Sequence, residues 1–235
     1  MTVVVVWIAL LALSGVAWAT GAVTWPGVLA GLVLAAALMV APGPGPLALF
    51  VLFVVAGSVS SRLGADVKRR RGGVQQDGGR RGVEHALANG LVPALMVLAG
   101  RWGWIPGGAN AGALAAMGAL SAVLSDTVAG EWGAWLGGEP RSILTGRREP
   151  VGQDGAVSGA GLLAGLVAAG AAGLLAGGLD EGPFASVFLV VTGAGFAGNL
   201  VDSLLGATLQ PRLGRYGNSL VNVACALAGA LVPLL

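Results

Sequence analysis

One cysteine, one histidine and one tyrosine are all that this chain of 235 residues contains of those types. A lone cysteine excludes an internal disulfide, and with a lone histidine it excludes the usual zinc constellations. Cys225 stands in an apolar run and reads as a small packing residue. Charge is scarce as well: Asp, Glu, Lys and Arg make up 10% of the chain, against about 25% in a typical soluble domain. That scarcity excludes an ordinary soluble fold. No Gly-x-x-x-x-Gly-Lys loop is present, so the phosphate cradle of P-loop kinases is missing. The first apolar run lacks a basic segment before it and leads straight into another, which reads as a retained span rather than a signal peptide.

What the chain has in quantity is apolar residues, 55% of the total, and 42 glycines. Small residues let helices approach closely in a membrane, where burial of apolar surface no longer drives association. A span needs about 20 mostly apolar residues. Candidate spans cover 2–19, 23–41, 47–63, 83–100, 110–136, 157–178, 183–205 and 218–235. The expected fold is therefore all-α: a polytopic helical bundle of about eight spans forming one integral membrane domain over residues 1–235. The Pro42 to Pro46 knot can only be a turn. Trp102, Trp104 and Pro106 read as a loop with an interfacial aromatic pair. Pro93 and the many glycines make the fourth and seventh spans the ones expected to break or tilt. The glycine-rich sixth span, 157–178, is open to internal packing or to a homodimer contact.

Twelve of the thirteen basic residues follow odd-numbered spans, and Arg101 alone lies on the opposite side. The positive-inside rule then makes their face cytoplasmic and puts both termini outside, in a cell (inner) membrane. Residues 62–82 form the most basic loop, rich in glycine. It reads as a topology signal with an attraction for anionic membrane lipids, and also as a phosphate-binding loop. Gly78-Gly79-Arg80-Arg81 stands just before a helix start, which favours the anion reading through Arg80 and Arg81. Nothing in the chain points to a nucleic-acid partner.

Polar groups inside apolar spans are costly, about 2.5–3.5 kcal/mol for a carboxylate at mid-helix, so each is a functional hypothesis. Span five carries Asp126 and Glu131, five residues apart, both expected to reach one groove. In span seven Gly195, Asn199, Asp202 and Gly206 form a single stripe, polar side chains alternating with bare backbone that a ligand could approach. The charge asymmetry places Asp202 about one turn inside the basic face. Asn218 and Asn222 share a face of span eight, and Asn89 is a site-facing amide in span four, while His85 reads as structural. Asp126, Glu131 and Asp202 as a metal-ligating and catalytic set suit Mg²⁺, which takes carboxylates together with phosphate oxygens and water. Carboxylates, metal and arginines on one membrane face describe phosphoryl or nucleotidyl transfer to a membrane-dissolved acceptor.

Several strings carry a resemblance. They are Gly79-Arg80-Arg81 with Ala88-Asn89-Gly90, Ser125-Asp126-Thr127-Val128-Ala129-Gly130-Glu131, Gln153-Asp154-Gly155-Ala156-Val157-Ser158, the run from Gly198 to Gln210, and Asn218 with Val221-Asn222. In order and spacing the chain from about residue 57 onward resembles the phytyl-phosphate kinase family of prenyl lipid metabolism. This is the membrane family also known as domain of unknown function 92, which includes transmembrane protein 19. It departs from the family pattern at Gly82 and His85 and at Gly217-Asn218-Ser219. The resemblance implies a membrane kinase that converts an isoprenyl monophosphate such as phytyl phosphate to the diphosphate. It adds Asp154 and Ser203 to the phosphate-binding set of Arg80, Arg81, Asn89, Asn199, Asn218 and Asn222. CTP is the favoured nucleoside triphosphate, by analogy with polyprenol kinases. An isoprenoid alcohol kinase, a CDP-lipid-type transferase and an ion- or proton-coupled transporter remain as alternatives.

Overall fold

The protein is described here by a computed structural model covering residues 3–72, 80–180 and 182–235. The apolar runs form helices throughout. They are α1 (Val3–Ala19), α2 (Trp25–Leu38), α3 (Gly45–Arg62), α4 (Ala65–Arg70), α5 (Val83–Arg101), α6 (Gly108–Leu136), α7 (Gly159–Leu179), α8 (Phe184–Thr208) and α9 (Gly217–Leu231). Among the described residues six stretches, based on α3 and α5 to α9, are long and apolar enough to cross a membrane, and α1 and α2 are shorter apolar helices. Each of the eight expected spans therefore has its helix. The ninth, α4, is a turn and a half inside the basic loop.

Local chemistry sets the boundaries. Thr24 caps α2 by accepting a bond from the Gly27 amide (3.2 Å), and Ser158 caps α7 by accepting from Gly161 (3.1 Å). Pro44 and Pro46 sit at the start of α3, where a missing N–H costs nothing. The expected breaks in spans four and seven do not occur: α5 runs unbroken through Pro93, and α8 is continuous for 25 residues. Pro93 is fully buried, so neighbouring helices hold the chain helical around it.

Helix α6 is the axis of the bundle. In its apolar stretch 78% of the residues are buried, against 33–44% for the other five long spans. Its many Ala, Gly and Ser residues make that possible, because small side chains let neighbouring helices come close around the buried Met117, Leu120 and Leu124. At one crossing a side chain added at Gly100 of α5 would lie 2.8 Å from the Gly112 Cα of α6. Many large apolar side chains of the outer helices point the other way. Ile8, Val33, Leu163, Val167 and Leu189 are all exposed, an outer surface fit for lipid rather than water. Trp18 and Trp25 pack edge to face at the α1–α2 turn, and Trp102 and Trp104 pair, exposed, at the α5–α6 turn. These are the positions of interfacial aromatic belts.

The loops after α1, α3, α6 and α8 meet at one end of the bundle. Arg62 donates to the Thr20 carbonyl (2.8 Å), and Arg71 donates to carbonyls at the end of α6, among them Ala134 (3.1 Å) and Gly138 (2.6 Å). Between α6 and α7 the chain makes a two-residue antiparallel pairing, β1 (Arg141–Ser142) with β2 (Ala156–Val157). It then lays Gly155, at φ +70°, against Ala207 and Gly206 of α8. Apolar content has no signature for such a small hairpin, and the sequence reading passes over it.

Candidate functional site

Four helices deliver polar side chains to the basic end of the bundle. At its centre α6 and α8 cross so closely that a side chain at Gly195 would collide with Ser121, and one at Gly198 with Ala122. The next turn carries the polar contact: Asn199, 2% exposed, donates from Nδ2 to Ser125 Oγ (3.3 Å), and that hydroxyl donates to the Gly165 carbonyl of α7 (2.9 Å). Beyond it Asp126 and Asp202 stand face to face, half-buried, within hydrogen-bonding reach of one another. Asp202 Oδ2 is buried and has no hydrogen-bond partner among the described residues. A carboxylate oxygen left so is costly unless something else supplies the missing charge or donor.

The stripe of α8 thus exists as the spacing implies, but its glycines serve another purpose than the one expected. Gly195 and Gly206 admit neighbouring protein, not ligand: Ser121 fills the first position, and Gly155, with its amide nitrogen 2.9 Å from a Cβ at Gly206, fills the second. Through that second contact the α6–α7 loop reaches the site. Asp154 accepts a bond from Gln210 Nε2 (2.8 Å). Partial burial pushes the Asp154 carboxyl above the usual carboxylate range. Ser203 is half-buried beside Asp202. From α9, Asn222 is buried and Asn218 is exposed, one helical turn nearer the end of the bundle. From α5, Asn89 is 2% exposed and donates to the His85 carbonyl (2.8 Å).

Glu131 is not part of this cluster. Five residues at about 100° each place it roughly 140° around α6 from Asp126, so the two carboxylates face different neighbours. Glu131 turns to α3 and α4, where it accepts from Lys68 Nζ (2.6 Å) and Ser61 Oγ (2.9 Å). Lys68 also donates to the Ser60 and Ser61 carbonyls (2.8 and 2.9 Å), closing a buried, fully bonded ion pair. Among the described residues no three acidic, His or Cys side chains group as a metal cage. The pair Asp126 and Asp202 still fits a Mg²⁺ ion. That ion is commonly held by one or two carboxylates plus phosphate oxygens and water, and the unpartnered Asp202 Oδ2 is a free ligand atom.

The basic residues divide likewise. Lys68 and Arg71 are used inside the protein, by Glu131 and by the end of α6, and Arg69 pairs with Asp66. Arg80 is exposed and Arg81 half-buried, so the two point to different places. The Gly78-Gly79 half of that motif lies outside the described residues. Ser125 and Gln210 hydrogen-bond Asn199 and Asp154, and the sequence reading assigned them nothing. Both stand inside strings already singled out, one residue before Asp126 and at the end of the Gly198 run.

Residues 8–230 match the family described as integral membrane protein DUF92. An uncharacterised membrane protein of Methanocaldococcus jannaschii is 33% identical over 80% of this chain and 75% of its own length. One from Synechocystis is 33% identical over 81% of this chain and 72% of its own. Protein PGR of Arabidopsis thaliana is 32% identical over 69% of this chain and 64% of its own. No solved structure matches.

Proposed function

The chain belongs to the integral membrane family DUF92, and from that premise we propose that it is a membrane phosphotransferase, moving a phosphoryl group from a nucleoside triphosphate to an isoprenyl monophosphate. The observation that carries this reading is the facing pair Asp126 and Asp202, with an unpartnered carboxylate oxygen, set at the basic end of the bundle. CTP is the donor favoured by the resemblance to polyprenol kinases. The basic end faces the cytoplasm by the positive-inside rule, where a water-borne nucleotide is available.

The chemistry asks little of a general base. An isoprenyl phosphate has its second pKa near about 6, as phosphomonoesters do, so at neutral pH it is already an anionic nucleophile. The difficulty is repulsion between two phosphates. Asp126 and Asp202 would hold Mg²⁺, which when bound neutralises donor-phosphate charge. Asn199 works through Ser125 to keep the two carboxylates in register. Asn222 and Asn89, buried on α9 and α5, and Asn218 and Ser203 nearer the mouth, present neutral polar groups suited to orient phosphates. Asp154, tied to Gln210, places a further carboxyl at the rim.

Purified protein with geranylgeranyl or phytyl monophosphate and radiolabelled CTP, ATP, UTP or GTP tests this directly. The expected product is the labelled isoprenyl diphosphate. Transfer to the isoprenoid alcohol alone would make it an alcohol kinase. Cation or proton flux in liposomes without any transfer would make the carboxylate pair a transport site.

A further inference from the structure

A second built site lies at the start of α5, where Arg81 stands between two cavities of unlike character. One is an apolar cleft between α1, α2, α3 and α5, lined by Leu13, Val28, Leu32, Phe50 and Val54 and partly open along its length. The other is a polar pocket of about 210 Å³, lined by Thr20, Ser58, Ser61 and Arg62. Arg81 lines both.

Its position is fixed by the backbone. The Arg81 amide donates to the Ala22 carbonyl (3.0 Å), and the Arg81 carbonyl accepts from the Thr24 amide (3.0 Å), so the residue is bolted to the α1–α2 turn. The guanidinium lies over the Phe53 ring, 5.6 Å from its centroid, in space that any side chain at Gly57 would occupy. His85 stacks near the same ring, at 6.4 Å and 12°. Among the described residues the Arg81 side chain makes only a long bond, to Ser61 Oγ (3.5 Å). Its Nη1, and His85 Nε2, are buried with no hydrogen-bond partner among the described residues. Burial pushes the Arg81 pKa down, with the Glu131 carboxylate pulling the other way. An unused guanidinium donor and an unpartnered imidazole nitrogen, between an oily cleft and a polar pocket, match one kind of molecule, an amphiphile with an anionic head.

We propose that Arg81 anchors the headgroup of a single-chain lipid phosphate, with the head in the polar pocket and the tail in the α1–α2–α3–α5 cleft. This rests on the phosphotransferase reading and gives its lipid acceptor a seat. The phosphate takes the free guanidinium donors, with Ser58, Ser61 and Arg62 around it, and the tail leaves between helices toward the surrounding lipid.

The test is binding without chemistry. Full-length protein in nanodiscs of zwitterionic phospholipid, with no nucleotide or divalent cation, is titrated with labelled geranylgeranyl monophosphate. Unlabelled geranylgeranyl monophosphate, geranylgeraniol and inorganic phosphate serve as competitors. The lipid phosphate is expected to compete at least about tenfold better than either the alcohol or inorganic phosphate, the scale of one charge-assisted hydrogen bond. Arg81→Ala should weaken binding about tenfold and Arg81→Lys less. Gly31 lines the cleft and a Cβ there meets no atom within 4 Å, so Gly31→Leu should fill the tail path and weaken the lipid alone. Equal binding by wild type, Arg81→Ala and Gly31→Leu overturns the site. So does inorganic phosphate competing as well as the lipid, which would leave a free-anion pocket. The outcome is separable from the function: wild type that binds the lipid but transfers nothing from any nucleotide keeps this site and removes the kinase.

Discussion

Asn199 of α8 donates to Ser125 of α6, and the two aspartates beyond that bond, Asp126 and Asp202, are thereby brought face to face. The bond is buried at both ends and continues to the Gly165 carbonyl of α7, so three helices share one small polar lock. A side chain at Gly165 would lie 2.5 Å from Asn199 Nδ2 and 3.0 Å from the Ala129 Cβ. Gly165→Ala should therefore push Asn199 off Ser125. The expected cost is about 1–3 kcal/mol from overpacking, with a larger proportional loss of transfer than of stability. Thermal unfolding in detergent beside kcat measures both, and an unchanged kcat would show that the lock does not position the carboxylates.

The carboxylate pair itself predicts a clean separation of fold from activity. Asp202→Asn removes a charge that faces another charge, so the variant should insert and melt at least as high as wild type. Transfer should fall by at least about a hundredfold, the usual scale for removing one preorganised electrostatic group. EDTA should abolish transfer in the wild type and return of Mg²⁺ should restore it. Full activity of Asp202→Asn at saturating Mg²⁺ would remove the metal from the reading.

Glu131 has a different prediction because it has a different neighbour. Breaking a buried ion pair by removing one partner costs about 3–5 kcal/mol, while replacing both with apolar groups is often neutral. Lys68→Met and Glu131→Leu should each destabilise the protein strongly, and the double variant should recover most of the loss. If the pair is structural, the double variant also keeps most of its transfer activity. A stable double variant with no activity would return Glu131 to the catalytic set.

How far the sequence speaks follows from what each signal measures. Apolar run length measures a span, so all eight apolar helices were legible, and so was the basic face where their loops meet. Spacing along one helix measures a shared face, and the stripe of Asn199 and Asp202 was legible for that reason. Spacing does not say which neighbour the face meets. Asp126 and Glu131, five residues apart, are expected from spacing to reach one groove, and the turn of about 140° between them sends one to α8 and the other to α3. The glycines of α8 looked like room for a ligand because bare backbone is the same in either use; only the positions of Ser121 and Gly155 decide it. The Arg81 junction was half legible, as an arginine before a helix. That the α1–α2 turn would fix it between two cavities depends on a pairing of Val23 with Arg81 far apart in the chain.

Asp154 yields the pH prediction. Its carboxyl is held above the usual range because partial burial penalises its charge, while it accepts a bond from Gln210. A group whose pKa is higher folded than unfolded binds more protons in the folded state, so stability falls as pH rises through the carboxylate range. The charged form therefore loosens the α6–α7 loop against α8 above that range. Asn in its place keeps an acceptor for Gln210 and carries no charge. On acidification through about pH 5 to 4, Asp154 should therefore contribute a gain in Tm to the wild type that Asp154→Asn lacks. At neutral pH it should match or slightly exceed wild-type stability. If phosphate binding at the rim needs Asp154 only as an acceptor, transfer survives the change; if the carboxylate takes part through its charge, kcat falls while Tm does not. Tm and kcat measured across that pH range on the same preparation separate the two.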